Sequence, residues 1–256
     1  MNSTYAGIIE KSAKSEDGRG FTSTQSVHRR LRDEIVSLKR LPGDAINEKE
    51  LALECGVSRT PIREALLRLS EERLVDIVPK SRTTVSKIPV ADLLEAQVAR
   101  TALEQLTVKA AVERARGSDI ANLRALLELQ HECQELGEHA KFYAADEAMH
   151  NAIAVAGGYP GIWKIIEQIK IQVDRYRLLT LPQPMRMQRV LLEHTEIVDA
   201  IAARNADDAV EAMSRHLDGL SAEDLSVIRD LNPSYFVGDV EEFYARWGGF
   251  TAAPQL

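Results

Sequence analysis

Cysteine is scarce in this chain of 256 residues, limited to Cys55 and Cys133. The two stand far apart and in no paired-ligand spacing, which argues against a disulfide framework or a thiolate metal site and leaves two small buried thiols. Long apolar runs are missing as well: none approaches the ~20 residues that would span a bilayer. The opening MNSTYAGIIEKSAKSEDGRG has no apolar stretch long enough for a secretory signal and mixes Gly, Ser and both signs of charge, so it reads as a disordered leader. The expectation is a cytoplasmic protein with no membrane partner. There is no phosphate-cradling glycine loop, no nucleophile elbow and no HExxH pair, so the common enzyme signatures are absent too.

What is present is an ordinary globular composition, 45% hydrophobic and 28% charged, on a chain long enough for two domains. The net charge of -7 conceals a division. Residues 1–88 hold sixteen Lys and Arg against thirteen Asp and Glu, a balance of +3, whereas the remainder holds sixteen against twenty-six, a balance of -10. A basic module that meets phosphates, joined to an acidic module with another task, fits that asymmetry.

In the basic module, SVHRRLRDEIVSL places Val27, Leu31, Ile35 and Leu38 at helical spacing before LPGD breaks the pattern. A short second helix follows Asn47, which caps it, with Glu50 three residues on as in a capping box. Gly56 then turns the chain into GVSRTPIREALLRL. Here Ile62, Ala65, Leu66 and Leu69 form one buried stripe, with Ser58 or Thr60 as N-cap and Pro61 tolerated in the first turn. A helix N-terminus already carries positive charge, so loading its first turns with Arg59 and Arg63 makes sense if the partner is anionic, as DNA is. After Leu74, VDIVPKSRTTVSKI reads as a small hairpin. Three helices and a hairpin make a winged helix-turn-helix, whose second motif helix enters the major groove of DNA.

The run ELALECGVSRTPIREALLRLSEERLV resembles the signature of the GntR family of bacterial transcription regulators, over roughly residues 25 to 88. The resemblance implies that Arg59 and Arg63 reach bases or adjacent phosphates and that Ser58 and Thr60 hold the DNA backbone. Lys49 stands where the family has an arginine; it keeps the charge and loses the bidentate fork. The family's usual glycines before Leu74 and in the wing turn are replaced by Arg73 and by the glycine-free PKSR, and Arg82 on the wing is placed to reach a minor groove.

From Pro89 to about Leu225 the pattern is helical, with loop signals near Gly117–Ser118, Gly157–Gly158, Leu181–Pro182 and Arg204–Asn205, so six or seven helices in a bundle are expected. Three of its apolar stripes carry polar residues. Phe142, Asp146, Met149, His150 and Ile153 share one face; His194 lies among Leu191, Ile197, Val198 and Ile201; His216 lies among Ala209, Ala212 and Leu220. Burying each separately costs several kcal/mol per charge or unmet hydrogen bond, so a shared divalent metal is the economical solution. Three imidazoles with one carboxylate suit zinc first, then nickel, manganese or iron; calcium and magnesium want more oxygens.

This segment resembles the FCD effector-binding domain of the FadR branch of GntR regulators. The resemblance implies a metal held by Asp146, His150, His194 and His216. It also marks Arg100, in the R-x-x-L-E pattern, as the residue that takes the carboxylate of a small organic-acid effector. A surface ion pair with Glu104 at i+4 is the alternative use of Arg100.

The fold expected is therefore mainly α. It comprises a leader at 1–24, a winged helix-turn-helix at 25–88, an all-helical metal-binding, effector-binding and dimerisation domain at 89–228, and an aromatic-rich extension at 229–256 that covers the bundle or a partner subunit. The function expected is that of a homodimeric regulator, by resemblance a repressor, of near-palindromic operator DNA. Two other readings are an enzyme that activates water or oxygen at the histidine site, and a sensor for which the metal itself is the signal.

Overall fold

A computed structural model describes residues 23–79, 81–180, 185–217 and 233–238. Residues 1–22 of the expected leader and most of the extension, with Phe243, Tyr244, Trp247 and Phe250, lie outside the described residues, while Ser23 and Thr24 already belong to the first helix. The chain divides into two compact units, one ending at Ser86 and one continuing from Lys87.

The first unit holds three helices, α1 (Ser23–Val36), α2 (Glu48–Cys55) and α3 (Arg59–Glu71), followed by a hairpin of β1 (Val75–Val78) and β2 (Arg82–Val85). Val27, Leu31 and Ile35 of α1 are buried, and Ile62, Ala65, Leu66 and Leu69 form the buried face of α3. The helical spacing of α1 had extended to Leu38, but the helix ends at Val36, and Leu38 takes a φ of 60° ahead of the turn at Pro42–Gly43. Asn47 caps α2 by accepting from the backbone N–H of Lys49 at 2.9 Å and of Glu50 at 3.4 Å. Glu50 closes the motif from the side-chain amide of Asn47, at 2.8 Å. Gly56 ends α2 at φ 65°, a conformation that a side chain would strain, and its N–H returns to the carbonyls of Ala52 and Leu53. Ser58 occupies the N-cap position of α3 without a side-chain capping bond.

The hairpin is antiparallel, with Val75 opposite Val85 and Val78 opposite Arg82. The segment Gly43–Ile46 lies along β2, joined by Ile46 N–H to the Thr83 carbonyl at 2.8 Å and Val85 N–H to the Asp44 carbonyl at 2.9 Å. The glycine-free wing therefore forms. Before Leu74, where the family has glycine, Arg73 takes a positive φ of 56°.

The second unit opens with β3 (Ile88–Pro89) and seven described helices: α4 (Val90–Arg114), α5 (Gly117–Glu135), α6 (His139–Ala156), α7 (Pro160–Ile169), α8 (Ile171–Thr180), α9 (Arg186–Ala202) and α10 (Ala206–Leu217). Its main core is built from Val108, Ala111, Val112, Leu123, Met149, Ile153, Ile197, Val198, Ile201, Ala209 and Met213. Two breaks were not anticipated: Leu136–Glu138 between α5 and α6, where Gly137 takes a φ of 66° and marks the helix end, and Lys170 between α7 and α8, which carries no loop signal. Gly157, after α6, is required for close approach, because a Cβ there would lie 2.7 Å from the backbone oxygen of Thr107 on α4. Past α10, Pro233–Tyr235 form one 3-10 turn and β4 (Phe236–Val237) pairs in parallel with β3. Phe236 and Tyr235 there join Ile88, Val90, Leu93, Val173 and Tyr176 in a second core. That part of the extension docks on its own bundle.

Candidate metal centre and nucleic-acid interface

In the first unit the buried stripe of α3 turns Ser58, Arg59, Thr60 and Arg63 outward; Lys49 on α2 and Arg82 on β2 are exposed as well. All six predicted DNA contacts are thus solvent-facing. Arg63, 62% exposed, pairs with Glu48 through Nε to Oε2 at 2.9 Å. A phosphate would have to displace that carboxylate, at little cost for so exposed a pair.

In the second unit α6 presents Asp146 and His150 one turn apart, α9 presents His194 and α10 presents His216, all buried. One potential ligand atom from each lies within 4.8 Å of the others. His216 Nε2 sits 3.2 Å from His150 Nε2 and 3.1 Å from His194 Nε2, and Asp146 Oδ1 lies 3.4 Å from His194 Nε2.

The outer partners say which nitrogen holds the proton. His150 Nδ1 meets Glu104 Oε2, His194 Nδ1 meets Gln130 Oε1 at 2.7 Å, and His216 Nδ1 meets Glu193 Oε2 at 2.9 Å. Each outer atom is an acceptor, so each Nδ1 donates its N–H and each Nε2 turns a bare lone pair inward. Three lone pairs and a carboxylate facing one another repel, and a divalent cation reverses the sign. Zinc–nitrogen bonds of about 2.0–2.1 Å in tetrahedral geometry set ligand nitrogens roughly 3.3 Å apart, close to the separations here. The donor set fits the group that the sequence anticipated.

Electrostatics agree. Burial, and for His194 the neighbouring His216, for His216 the neighbouring His150, hold both imidazoles well below their usual pKa and therefore neutral. Burial would raise Asp146, but the charge of Arg177 outweighs it and keeps the carboxylate ionised. Arg177 faces both Asp146 oxygens at 3.4 Å.

Arg100 on α4 is 1% exposed, so the surface use of this arginine is excluded while its pairing with Glu104 is real: Nε donates to Oε1 at 2.5 Å. The other oxygen of Glu104 holds His150. One buried carboxylate therefore ties the guanidinium to an imidazole of the cluster. Arg100 Nη2 is a buried donor with no hydrogen-bond partner among the described residues.

Several polar residues escaped the sequence reading. Gln130 and Glu193 orient imidazoles, and Arg177 sits on Asp146. Beside them Lys170 is buried between the rings of Tyr143 and Trp163 and bonds Glu147 and Asp174, the latter at 2.6 Å. Burial pushes Glu147 up to about 7 against the pull of Lys170. Gln130 had a legible signal, since it continues the stripe of Leu123, Leu126 and Leu127 on α5. The polar residues of α8 had none, because that helix is buried nearly all round and shows no amphipathic period. Of the two thiols, Cys133 is buried, but Cys55 is half-buried, with Arg30 Nη1 donating to its Sγ at 3.6 Å.

Comparison with known proteins gives the same division. Residues 23–85 match the model of the gntR family of bacterial regulatory proteins, and residues 94–219 match the FCD domain. An uncharacterized HTH-type transcriptional regulator in an unstable DNA locus of Streptomyces ambofaciens is 32% identical over 220 residues, covering 86% of this chain and 92% of its own. The HTH-type transcriptional repressor RspR of Escherichia coli is 30% identical over 212 residues, covering 83% and 92%. Among solved structures, E. coli McbR/YncC superposes with a TM-score of 0.68 at 23% identity over 82% of this chain and 99% of that one, a likeness of fold. No helix among the described residues is long and apolar enough to cross a membrane. The chain belongs to the GntR family of bacterial regulatory proteins, as a DNA-binding transcription regulator with a helix-turn-helix unit followed by an FCD domain.

Proposed function

We propose that the protein is a cytoplasmic, homodimeric repressor whose affinity for a near-palindromic operator is set by a small organic acid, bound by Arg100 beside a divalent transition metal. The observation that carries this reading is the junction at Glu104, one carboxylate shared by Arg100 and His150. Asp146, His150, His194 and His216 would hold the ion, zinc first among the candidates, and the ion would offer Lewis acidity to a carboxylate oxygen. Arg100 supplies the complementary charge, and its buried Nη2, which has no hydrogen-bond partner among the described residues, would donate a charge-assisted hydrogen bond to the acid. Glu104 fixes both groups in place, so the pocket is preorganised and the ordering cost on binding is small.

On the DNA side, Arg59 and Arg63 face the major groove from α3, Ser58, Thr60 and Lys49 meet the backbone, and Arg82 reaches the minor groove. Two-fold symmetry of the dimer matches two half-sites. The acid shifts operator affinity by binding one spacing of the two DNA-binding units better than another, and the coupling is reciprocal.

The deciding experiment is thermal stability of the purified protein against a panel of sugar acids, hydroxy acids and dicarboxylates, before and after chelation, with metal restored. An effector at a hundredfold excess over Kd adds about 2.7 kcal/mol of apparent stability. The expected result is an acid that stabilises only the metal-loaded protein and weakens its hold on operator DNA. If chelation lowers stability and no acid raises it, the role of Arg100 is wrong and the metal is structural.

A further inference from the structure

The three imidazoles of the proposed centre are not supported alike. His150 and His216 lean on the carboxylates of Glu104 and Glu193, whereas His194 leans on the neutral amide of Gln130. Gln130 is fully buried on α5. Its Oε1 accepts from His194 Nδ1 at 2.7 Å, while its Nε2 donates to the Ala145 carbonyl at 3.3 Å and faces Met149 Sδ at 3.8 Å. The reverse orientation of the amide would set its oxygen against the Ala145 carbonyl, acceptor to acceptor, so the network itself decides which end faces the histidine. An oxygen there can only accept. His194 is therefore held with its proton on Nδ1 and its lone pair on Nε2.

The nature of the acceptor also matters. A carboxylate draws on the N–H and leaves the ring more electron-rich, making a better ligand; an amide does so less. His194 is thus the weakest of the three donors, and Gln130 is what keeps it a donor at all.

We infer that Gln130 is a positioning residue of the proposed metal centre, which locks His194 in the ligating tautomer. The inference rests on the metal reading proposed above. Apart from the long contact to the Ala145 carbonyl, which lies within helix α6, the amide's surroundings are the apolar stripe of Leu123, Leu126 and Leu127, so the short bond to His194 is its principal polar contact.

The test is a competition titration with Zn2+ against a chromophoric chelator, for the full-length protein and the variants Gln130→Met, Gln130→Glu and His194→Ala. Melting of the chelated forms reports whether each variant folds. The expected result is that Gln130→Met weakens zinc binding roughly 10- to 100-fold, while Gln130→Glu, which keeps an acceptor for His194 but sets its second oxygen against the Ala145 carbonyl, binds zinc more tightly than Gln130→Met. Zinc affinity unchanged in Gln130→Met, with His194→Ala impaired, overturns the inference and leaves the metal centre intact. Failure of the unmodified protein to take up Zn2+, Co2+, Ni2+ or Mn2+ overturns both. Should Gln130→Met not fold, nitrogen NMR of the zinc-loaded unmodified protein decides: His194 protonated on Nδ1 and metal-shifted on Nε2 is expected, and metal on Nδ1 sinks the idea.

Discussion

Arg73 shows how a single position records a departure from the family pattern. A non-glycine residue held at φ 56° costs about 1–2 kcal/mol relative to its relaxed conformation, and Arg73 adopts that angle between α3 and the buried Leu74. Arg73→Gly should therefore raise the stability of the first unit by about 1 kcal/mol, less the entropy that glycine adds to the unfolded chain. Urea denaturation of the two forms at equal protein concentration checks it, and a lower midpoint for the glycine form would show that the side chain's contacts outweigh the strain. At the proposed metal centre the corresponding prediction is categorical. His216→Ala removes the proposed ligand whose Nε2 lies 3.2 Å from that of His150 and 3.1 Å from that of His194, so the purified variant should lose stoichiometric metal by elemental analysis. The pairing of Asp146 with His150 was legible because i, i+4 spacing puts two residues on one helical face whatever surrounds them. The outer contacts of the imidazoles, His150 to Glu104, His194 to Gln130 and His216 to Glu193, were not: Gln130 could be read as a polar residue on an apolar stripe, but only packing brings each partner to its ring.

At the scale of elements, α3 carries the DNA-binding prediction. Its buried face fixes its rotation, so Arg59 and Arg63 project outward together. Arg59→Ala and Arg63→Ala should each weaken operator binding while leaving the melting temperature unchanged. Where the contact is to phosphate, each should also reduce the slope of log affinity against log salt by about 1. Glu48→Gln frees Arg63 from its ion pair, and the expected outcome is tighter nonspecific DNA binding, measured by anisotropy at low salt. The small β3–β4 pair carries another. Phe236 is buried among Ile88, Leu93 and Tyr176, so Phe236→Ala should cost the helical unit about 3–5 kcal/mol in denaturant titration. The helices of this unit were readable from their period, and the docking of the extension was readable only as a concentration of aromatic residues. Which surface those residues cover is a long-range property: Phe236 pairs with a residue almost one hundred and fifty positions earlier in the chain.

For the whole molecule, the two compact units separate the proposed metal centre from the DNA-facing arginines, so metal and DNA are expected to act first on different units. Calorimetry of the loaded and chelated protein should show the transition of the helical unit falling on chelation, by up to about 2.7 kcal/mol if the ion was present at a hundredfold excess over its Kd, and that of the winged helix holding its place. Equal shifts in both transitions would mean that the units unfold as one, and the division of labour read from charge would lose its basis. By itself the sequence determined the division into a basic and an acidic module, the helix-turn-helix and its outward arginines, and the residue types at the buried polar positions. Periodicity, charge balance and helix-capping chemistry act over a few residues, and a chain states them directly. Tertiary structure decided what those residues meet: that Arg100 is buried and shares Glu104 with His150, that each imidazole turns its Nε2 inward, and that Gln130 alone among the three supports is neutral. Those facts depend on the packing of α4, α5, α6, α9 and α10 around one point, and contacts between residues dozens of positions apart leave no local period to read.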